Sequence, residues 1–340
     1  MQVTRKFVIF LSNDPGGCGE YRVRSFVSEY MGHIDSGFDF IYTQLCITDL
    51  AILKDAYSII LQRFAGDELI QYLKWIKDLR KAGKTSVKIF GELDDCFSCI
   101  EDYNRASKII GKKDVDLMDK TYLACDAYRV STLELARYTE KRYHKKAYVI
   151  KNSLPRWLMY VEPTKYSCRD IPLVLYTGAG NHFSESDHGD FTGWVDGLVE
   201  AVKAGKMVLG FFGGIPWFFE DIKDKCMVFP FQKSSEFLPF LRKVNADFII
   251  APLKNNYFNK CKSDVKLIES YAVGSVFIGS MWDRSPYECG IQTSKSGVKS
   301  YIEEILSLSF DPLLYKKRIE DQRNYLIETS RYTKFPEVEF

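Results

Sequence analysis

Short apolar runs alternate with longer amphipathic stretches along this chain, and the alternation stops once near the middle before it restarts. Such a run, with no polar face of its own, suits a strand covered on both sides, and the amphipathic stretch after it supplies a covering helix. The predicted strands of the first half are residues 7–11, 38–42, 58–61, 87–90, 127–130 and 147–150, with helices over 21–31, 69–81, 117–124 and 133–143. Between Asn152 and Asp170 the pattern gives way to a polar stretch punctuated by Pro155 and Pro163, with Pro172 just beyond. That stretch reads as a linker. The second half has predicted strands at 173–176, 207–212, 227–229, 247–251 and 276–279, and helices over 191–204, 236–243, 264–273, 298–308 and 312–330. The expected fold class is therefore α/β, two doubly wound domains at 1–153 and 171–296 facing a central cleft. Residues 297–340 add helices, with a return crossing to the first domain as an option. Ligands of doubly wound sheets bind outside the carboxyl ends of the strands, so the cleft is the expected site.

Composition narrows the class. A hydrophobic share of 46% over 340 residues lets each half bury a core. The net charge of +2 is not that of a dedicated nucleic-acid binder. It leaves room for local basic clusters, at Lys141, Arg142, His144, Lys145 and Lys146 and at Lys108, Lys112 and Lys113. Each reads first as a solvated helix end. Nine scattered cysteines argue against a secreted disulfide framework. Cys96 and Cys99 have redox-pair spacing, but no second pair completes a structural zinc site. The run 7–11 is too short for a signal segment, and glycines and a proline interrupt 208–219. The expectation is a soluble, cytoplasmic chain without stable membrane insertion.

The most informative stretch runs from Asn259 to Gly274. Ser263 is a good N-cap, so a helix is expected from Asp264, with Val265, Ile268 and Ala272 as its buried stripe. Lys262, Lys266 and Glu269, spaced four and three apart, line up on a neighbouring face. Lysines at a helix N-terminus suit phosphate, and a glutamate two turns in suits a ribose diol. An ordinary amphipathic helix with a surface Lys–Glu pair has the same spacing, and both readings stand at this point. Asp94 and Asp95 end the strand predicted at 87–90, where paired carboxylates are costly to bury. They face the cleft or a partner, or cap the next loop. Asp190 reads as the N-cap of the following helix. A metal site of His182, His188 and Asp187 is the minor reading.

The pattern Lys262-Ser263-x-x-Lys266-Leu267-x-Glu269-x-x-Ala272-x-Gly274, followed by Val276-Phe277-Ile278-Gly279-Ser280, resembles the donor-site motif of GT-B glycosyltransferases, especially family 4-like (group 1) members. The resemblance implies a GT-B fold of two Rossmann-like domains. It places Glu269 on the donor ribose and Lys262 on the diphosphate. Cys261 stands where the family carries a second glutamate. Gly16-Gly17-Cys18-Gly19-Glu20-Tyr21-Arg22 looks like the glycine-rich loop after the first strand, bringing in Gly17, Gly19 and Arg22, although a tight turn needs the same glycines. Tyr176-Thr177-Gly178-Ala179-Gly180-Asn181-His182 resembles the loop that meets the donor phosphates. Asp126–Ala136 and Val149–Leu154 are similar to structural segments closing the family's first domain, and Pro230-Phe231 and Ala251-Pro252-Leu253 to strand ends that grip the base.

The implied reaction needs no metal or cofactor. Lys262, Lys266 and Arg22 stabilise a departing nucleoside diphosphate, and Asp94 or Asp95 addresses the acceptor. The implied donor is a nucleotide sugar, with UDP as the expected nucleotide. The combination of Gly-Cys-Gly-x-Tyr-Arg, Gln62-Arg63 and Glu92-x-Asp94-Asp95 is similar to phage-encoded members. This makes 5-hydroxymethylcytosine in double-stranded DNA the favoured acceptor, glucosylated or arabinosylated after base flipping. A glycan or lipid-linked sugar is the alternative acceptor. A non-catalytic nucleotide-sugar-binding module and a sugar-nucleotide epimerase are the readings from other classes.

Overall fold

The computed structural model describes residues 6–30, 38–63, 65–162, 167–178, 180–288 and 298–329. Met31, Pro163, Ala179, the boundary at 296/297 and Ser330 lie outside the described residues.

Two all-parallel sheets form. The first contains β1 (Lys6–Ser12), β2 (Phe38–Thr43), β3 (Ala56–Gln62), β4 (Lys88–Leu93), β5 (Ala127–Val130) and β6 (Ala147–Val149), in the order β2-β1-β3-β4-β5-β6. The second contains β7 (Leu173–Tyr176), β8 (Val208–Phe212), β9 (Cys226–Phe229), β10 (Phe248–Ala251) and β11 (Val276–Gly279), in the order β11-β10-β7-β8-β9. Strand direction of growth reverses between β1 and β3 in the first sheet and between β7 and β10 in the second, so each sheet opens a crevice at the end of its first strand. Ile59, Ile60 and Leu61 are all buried, as covering on both faces requires.

Three elements differ from their expected form for identifiable reasons. The helix expected from residue 191 begins only at Val195, because Gly189–Phe191 forms a 3-10 turn and Gly193 sits at φ 84°. A left-handed residue stops helix propagation. The helix after β1 begins early, at Gly17–Gly19, passes through a π-helical turn at Glu20–Arg24 and continues as Ser25–Tyr30. Such a turn is frequent at functional sites. The helix Val265–Val273 is no amphipathic surface helix: Leu267 through Val273 are all buried. It packs between the second sheet and the helix Pro312–Glu328, whose Gln322 side chain accepts from Phe277 N–H at 3.1 Å and donates to Ser275 O at 2.9 Å.

The domains are joined by more than the linker. The short helix Tyr257–Cys261, which follows β10, sends Phe258 and Cys261 into the hydrophobic core of the first sheet. Thr132 Oγ1 donates to Cys261 O at 2.9 Å. The segment that leads into the expected donor helix is thus anchored in the opposite domain.

Candidate active site

A cleft of about 1300 Å³ lies between the carboxyl ends of the two sheets. Its walls come from the loops that topology brings there: Gly16–Cys18 after β1, Arg63 after β3, Asp94 and Asp95 after β4, Thr177, Gly178 and Gly180–His182 after β7, and Lys262, Lys266 and Glu269 beyond β10.

On the second-domain side, Gly178 leaves room for the Tyr176 ring: a Cβ there would fall 2.0 Å from the Tyr176 hydroxyl, so any other residue requires that buried ring to shift. Gly180 also lines this wall, close to the Arg105 guanidinium from the first domain. Lys266 Nζ stands 3.5 Å from Thr177 Oγ1 and over the Tyr176 ring at 5.7 Å. Lys266 is part-exposed to the cleft yet enclosed by protein around it, and burial lowers its pKa to about 8 against the pull of Glu269. Glu269 is buried one turn on, where burial raises its carboxyl above the usual range, partly countered by Lys266. Its Oε1 accepts from Tyr21 Oη–H at 2.6 Å, a hydrogen bond that spans the two domains. The surface Lys–Glu pair open in the sequence is therefore not what forms. Lys262 Nζ reaches toward Asp95 at 3.8 Å and lies over the Phe258 ring at 4.4 Å. Ser263 is not the N-cap. Asp264 occupies that position, and Ser263 Oγ accepts from Asn152 Nδ2 at 2.8 Å, tying the helix start to the end of the first domain.

On the first-domain side, Arg63 gathers carboxylates. Its guanidinium lies 2.9 Å from Asp94, 3.1 Å from Asp95 and 3.5 Å from Asp14. Arg63 has φ 47°, an uncommon conformation for a non-glycine residue that turns the chain at the end of β3. The two aspartates diverge. Burial opposes ionisation of Asp94, but Arg63 and the Cys18 thiol outweigh it and its pKa is lowered. Burial raises Asp95, and neighbouring Asp94 adds to the rise against Lys262. Asp14, Cys18 and Asp94 place donor atoms within 4.8 Å of one another, close enough to share an ion, although Arg63 already supplies positive charge there.

The sequence itself matches no protein-family model and no curated protein. The structure is similar to an alpha-glucosyltransferase in complex with UDP, at 15% identity and TM-score 0.56, over 95% of each chain. It is also similar to OtsA (10% identity, TM-score 0.52, 95% of this chain and 96% of that one) and to a Thermobaculum terrenum O-GlcNAc transferase (10% identity, TM-score 0.52, 96% and 64%). The fold is GT-B. In this GT-B chain the two sheets present their carboxyl ends to a shared cleft, as the sequence led one to expect.

Several expected site residues take other places in the GT-B framework. Arg22 does not reach the cleft. It is buried, with Nε 2.7 Å from Glu92 Oε1 and Nη1 3.0 Å from Asn152 Oδ1, and it also donates to Ile150 O. Glu92, fully buried and lying between Arg22 and Arg129, captures it. Gly19 is buried rather than cleft-lining: a Cβ would fall 2.0 Å from Asp14 O, and its N–H donates to Asp14 Oδ2 at 3.1 Å. Gly17 does line the cleft. Cys261 points into the first domain's core, so no group at that position faces the cleft. Asp190 caps no helix; it bonds His182 Nδ1 at 2.7 Å. His188 packs on the Trp217 and Phe218 rings, and the trio of the minor metal reading, His182, His188 and Asp187, does not gather its ligand atoms among the described residues.

Arg63, Tyr21, Arg105 and the His182–Asp190 pair are cleft features whose roles the sequence did not disclose. Arg63 carried a signal as a charged residue placed directly after an apolar strand, and His182 as the end of the loop after the strand predicted at 173–176; the pairing of His182 with Asp190 did not.

Proposed function

We propose that this chain is a glycosyltransferase that moves a sugar from a UDP-sugar to a hydroxyl acceptor, without a metal or cofactor. The observation that carries the reading is the pairing of Lys266 with Glu269 on one buried helix, where both open onto the interdomain cleft. Burying two charged groups is costly unless a ligand or partner uses them. The Lys262 and Lys266 ammonium groups, with the glycine loop after β7, receive the diphosphate, and Glu269 receives the ribose hydroxyls. As the glycosidic bond to the diphosphate breaks, negative charge grows on the leaving oxygen, and fixed cations in a recessed cleft lower that barrier. Asp95 orients the acceptor hydroxyl or takes its proton. Its raised pKa makes it the better base of the pair, while Arg63, which contacts both, holds Asp94 below the usual carboxylate range.

The favoured acceptor is 5-hydroxymethylcytosine in duplex DNA, modified in the cytoplasm. Arg105, Ala106, Ile109 and Ile110 line the cleft, and exposed Lys108, Lys112 and Lys113 continue from them, so one basic cluster sits at the cleft mouth. Phosphate contacts position a duplex with only such a local cluster. In the other cluster Arg142 is drawn to Asp119, and Lys145 to Leu123 O and Cys125 O. Among the described residues no helix is long and apolar enough to cross a membrane.

Incubation with a panel of UDP-sugars and duplex DNA, hydroxymethylated or plain, read by mass spectrometry, tests the reading. A hexose or pentose mass added only to the hydroxymethylated duplex is the expected result. Transfer to a glycan alone overturns the acceptor, and no transfer or donor hydrolysis with any pair overturns the enzyme.

A further inference from the structure

His182 ends the 3-10 turn Gly180–His182 and lines the cleft, close enough to Lys262 and Lys266 to feel both charges. Its Nδ1 is 2.7 Å from Asp190 Oδ2. Asp190 is buried, and its Oδ1 accepts from Tyr103 Oη–H at 2.7 Å, Lys254 N–H at 2.9 Å and Asn259 Nδ2–H at 2.7 Å. With those donors converging on it Asp190 is an anion, held below the usual carboxylate range against the effect of burial, chiefly by its bond to His182. The proton of the pair therefore sits on His182 Nδ1, and Nε2 keeps its lone pair. Nε2 has no hydrogen-bond partner among the described residues.

A bare lone pair beside two phosphate-binding lysines is the wrong polarity for a diphosphate, and an N–H there is the right one. We propose that His182 is a proton-loading ligand of the diphosphate: when a nucleoside diphosphate binds, Nε2 takes one proton from hydronium or a buffer acid, and the new Nε2–H donates a hydrogen bond to a phosphate oxygen while Asp190 holds Nδ1–H. The Nε2–H bond forms as the acid's bond to that proton breaks, and the proton returns to solvent when the nucleotide dissociates. The inference rests on the donor-site reading above and adds a ligand that neither the motif nor the lysines supply.

The ring's surroundings set the sign of its pH dependence. From its own domain it faces Asp190, Tyr176 at 6.3 Å between ring centres, Lys262, Lys266 and the Lys254 segment; Tyr103 and Arg105 face this loop from the first domain. Burial lowers the pKa of His182 despite Asp190, and Lys262 and Lys266 lower it further, which favours the neutral imidazole in the free protein. A bound polyanion reverses the balance and raises it. The added affinity is then full at mildly acid pH and is lost as pH rises through the raised value of the complex.

Calorimetric titration of the whole chain with UDP, at neutral pH in two buffers of different ionisation enthalpy, counts the protons taken up. Wild type is expected to take up a large fraction of a proton more than His182→Gln, and to bind about tenfold more tightly at mildly acid pH. Lys266 also loads a proton but is present in both proteins, so the difference isolates His182. NMR titration of the His182 ring in wild type, with and without UDP, reads the same proton without a substitution and is expected to show its pKa rise. Equal proton uptake in both proteins, or an unshifted ring, overturns the proposal alone. Failure of UDP to bind wild type overturns the donor-site reading and this proposal with it.

Discussion

Replacing Lys266 by methionine is expected to lower kcat/KM for the UDP-sugar by about 10²–10³-fold, the loss seen when one preorganised donor to a developing oxyanion is removed. Methionine keeps the unbranched stem, so packing against Tyr176 survives while the charge goes. The ammonium matters most in the transition state, where the leaving diphosphate gains charge, so kcat falls along with kcat/KM. The same residue sets a pH limit. Burial lowers its pKa to about 8, so in the free protein the cation is present below that value and is lost as pH rises through it. The kcat/KM of wild type should therefore fall above about pH 8, since that ratio reports groups of the free enzyme. Lys266→Arg, whose cation does not titrate there, should carry activity further into alkaline pH. A methionine variant with wild-type kcat/KM and an unchanged alkaline fall would remove Lys266 from the chemistry.

Arg22→Met is expected to reduce folding stability by about 3 kcal/mol or more, seen as a lower midpoint in urea with an unchanged slope. The substitution breaks a buried ion pair from one side. Glu92, fully buried, would keep only Arg129, whose Nε is 3.3 Å away and whose own pKa burial already lowers. The carbonyl of Ile150 and the side chain of Asn152 would also lose a donor. Asn152 is the residue that holds Ser263, so loosening should spread to the start of the donor helix. Turnover per folded molecule should change only a few-fold. A stable variant with a large loss of turnover would restore Arg22 to the chemistry.

The contrast between Arg22 and Arg63 shows where sequence reading reaches its limit. Strands such as Ala127–Val130 and Leu173–Tyr176 were legible to the residue, because a short apolar run between turn residues has few other uses in a folded chain. Gly178, Lys262, Lys266 and Glu269 were legible as cleft residues because each lies within a few positions of a strand end or helix start. The charge network opposite them was not. Both arginines follow apolar or glycine-rich segments in the first domain, and only the pairing of β1 with β3 and β3 with β4 brings Arg63 to Asp94 and Asp95. Glu92 on β4 and Asp94 just beyond its end receive different arginines, Arg22 and Arg63. Cys261 was unreadable for a related reason. It belongs by sequence to the second domain and by packing to the first, because the helix Tyr257–Cys261 docks across the boundary. The helix Val265–Val273 looked amphipathic because lysine and glutamate mark a polar face; in the structure that face meets a recessed cleft instead of bulk water.

The central claim is that Glu269 and the lysines beside it hold a nucleoside diphosphate, and its most direct test is the affinity of UDP for wild type and for Glu269→Ala. The carboxylate spends one oxygen on Tyr21, and its remaining lone pairs are free to accept both ribose hydroxyls. Losing those charge-assisted bonds is expected to weaken UDP about 30-fold or more by calorimetry, from about 2 kcal/mol of lost interaction. Equal UDP affinity in the two proteins would contradict the account.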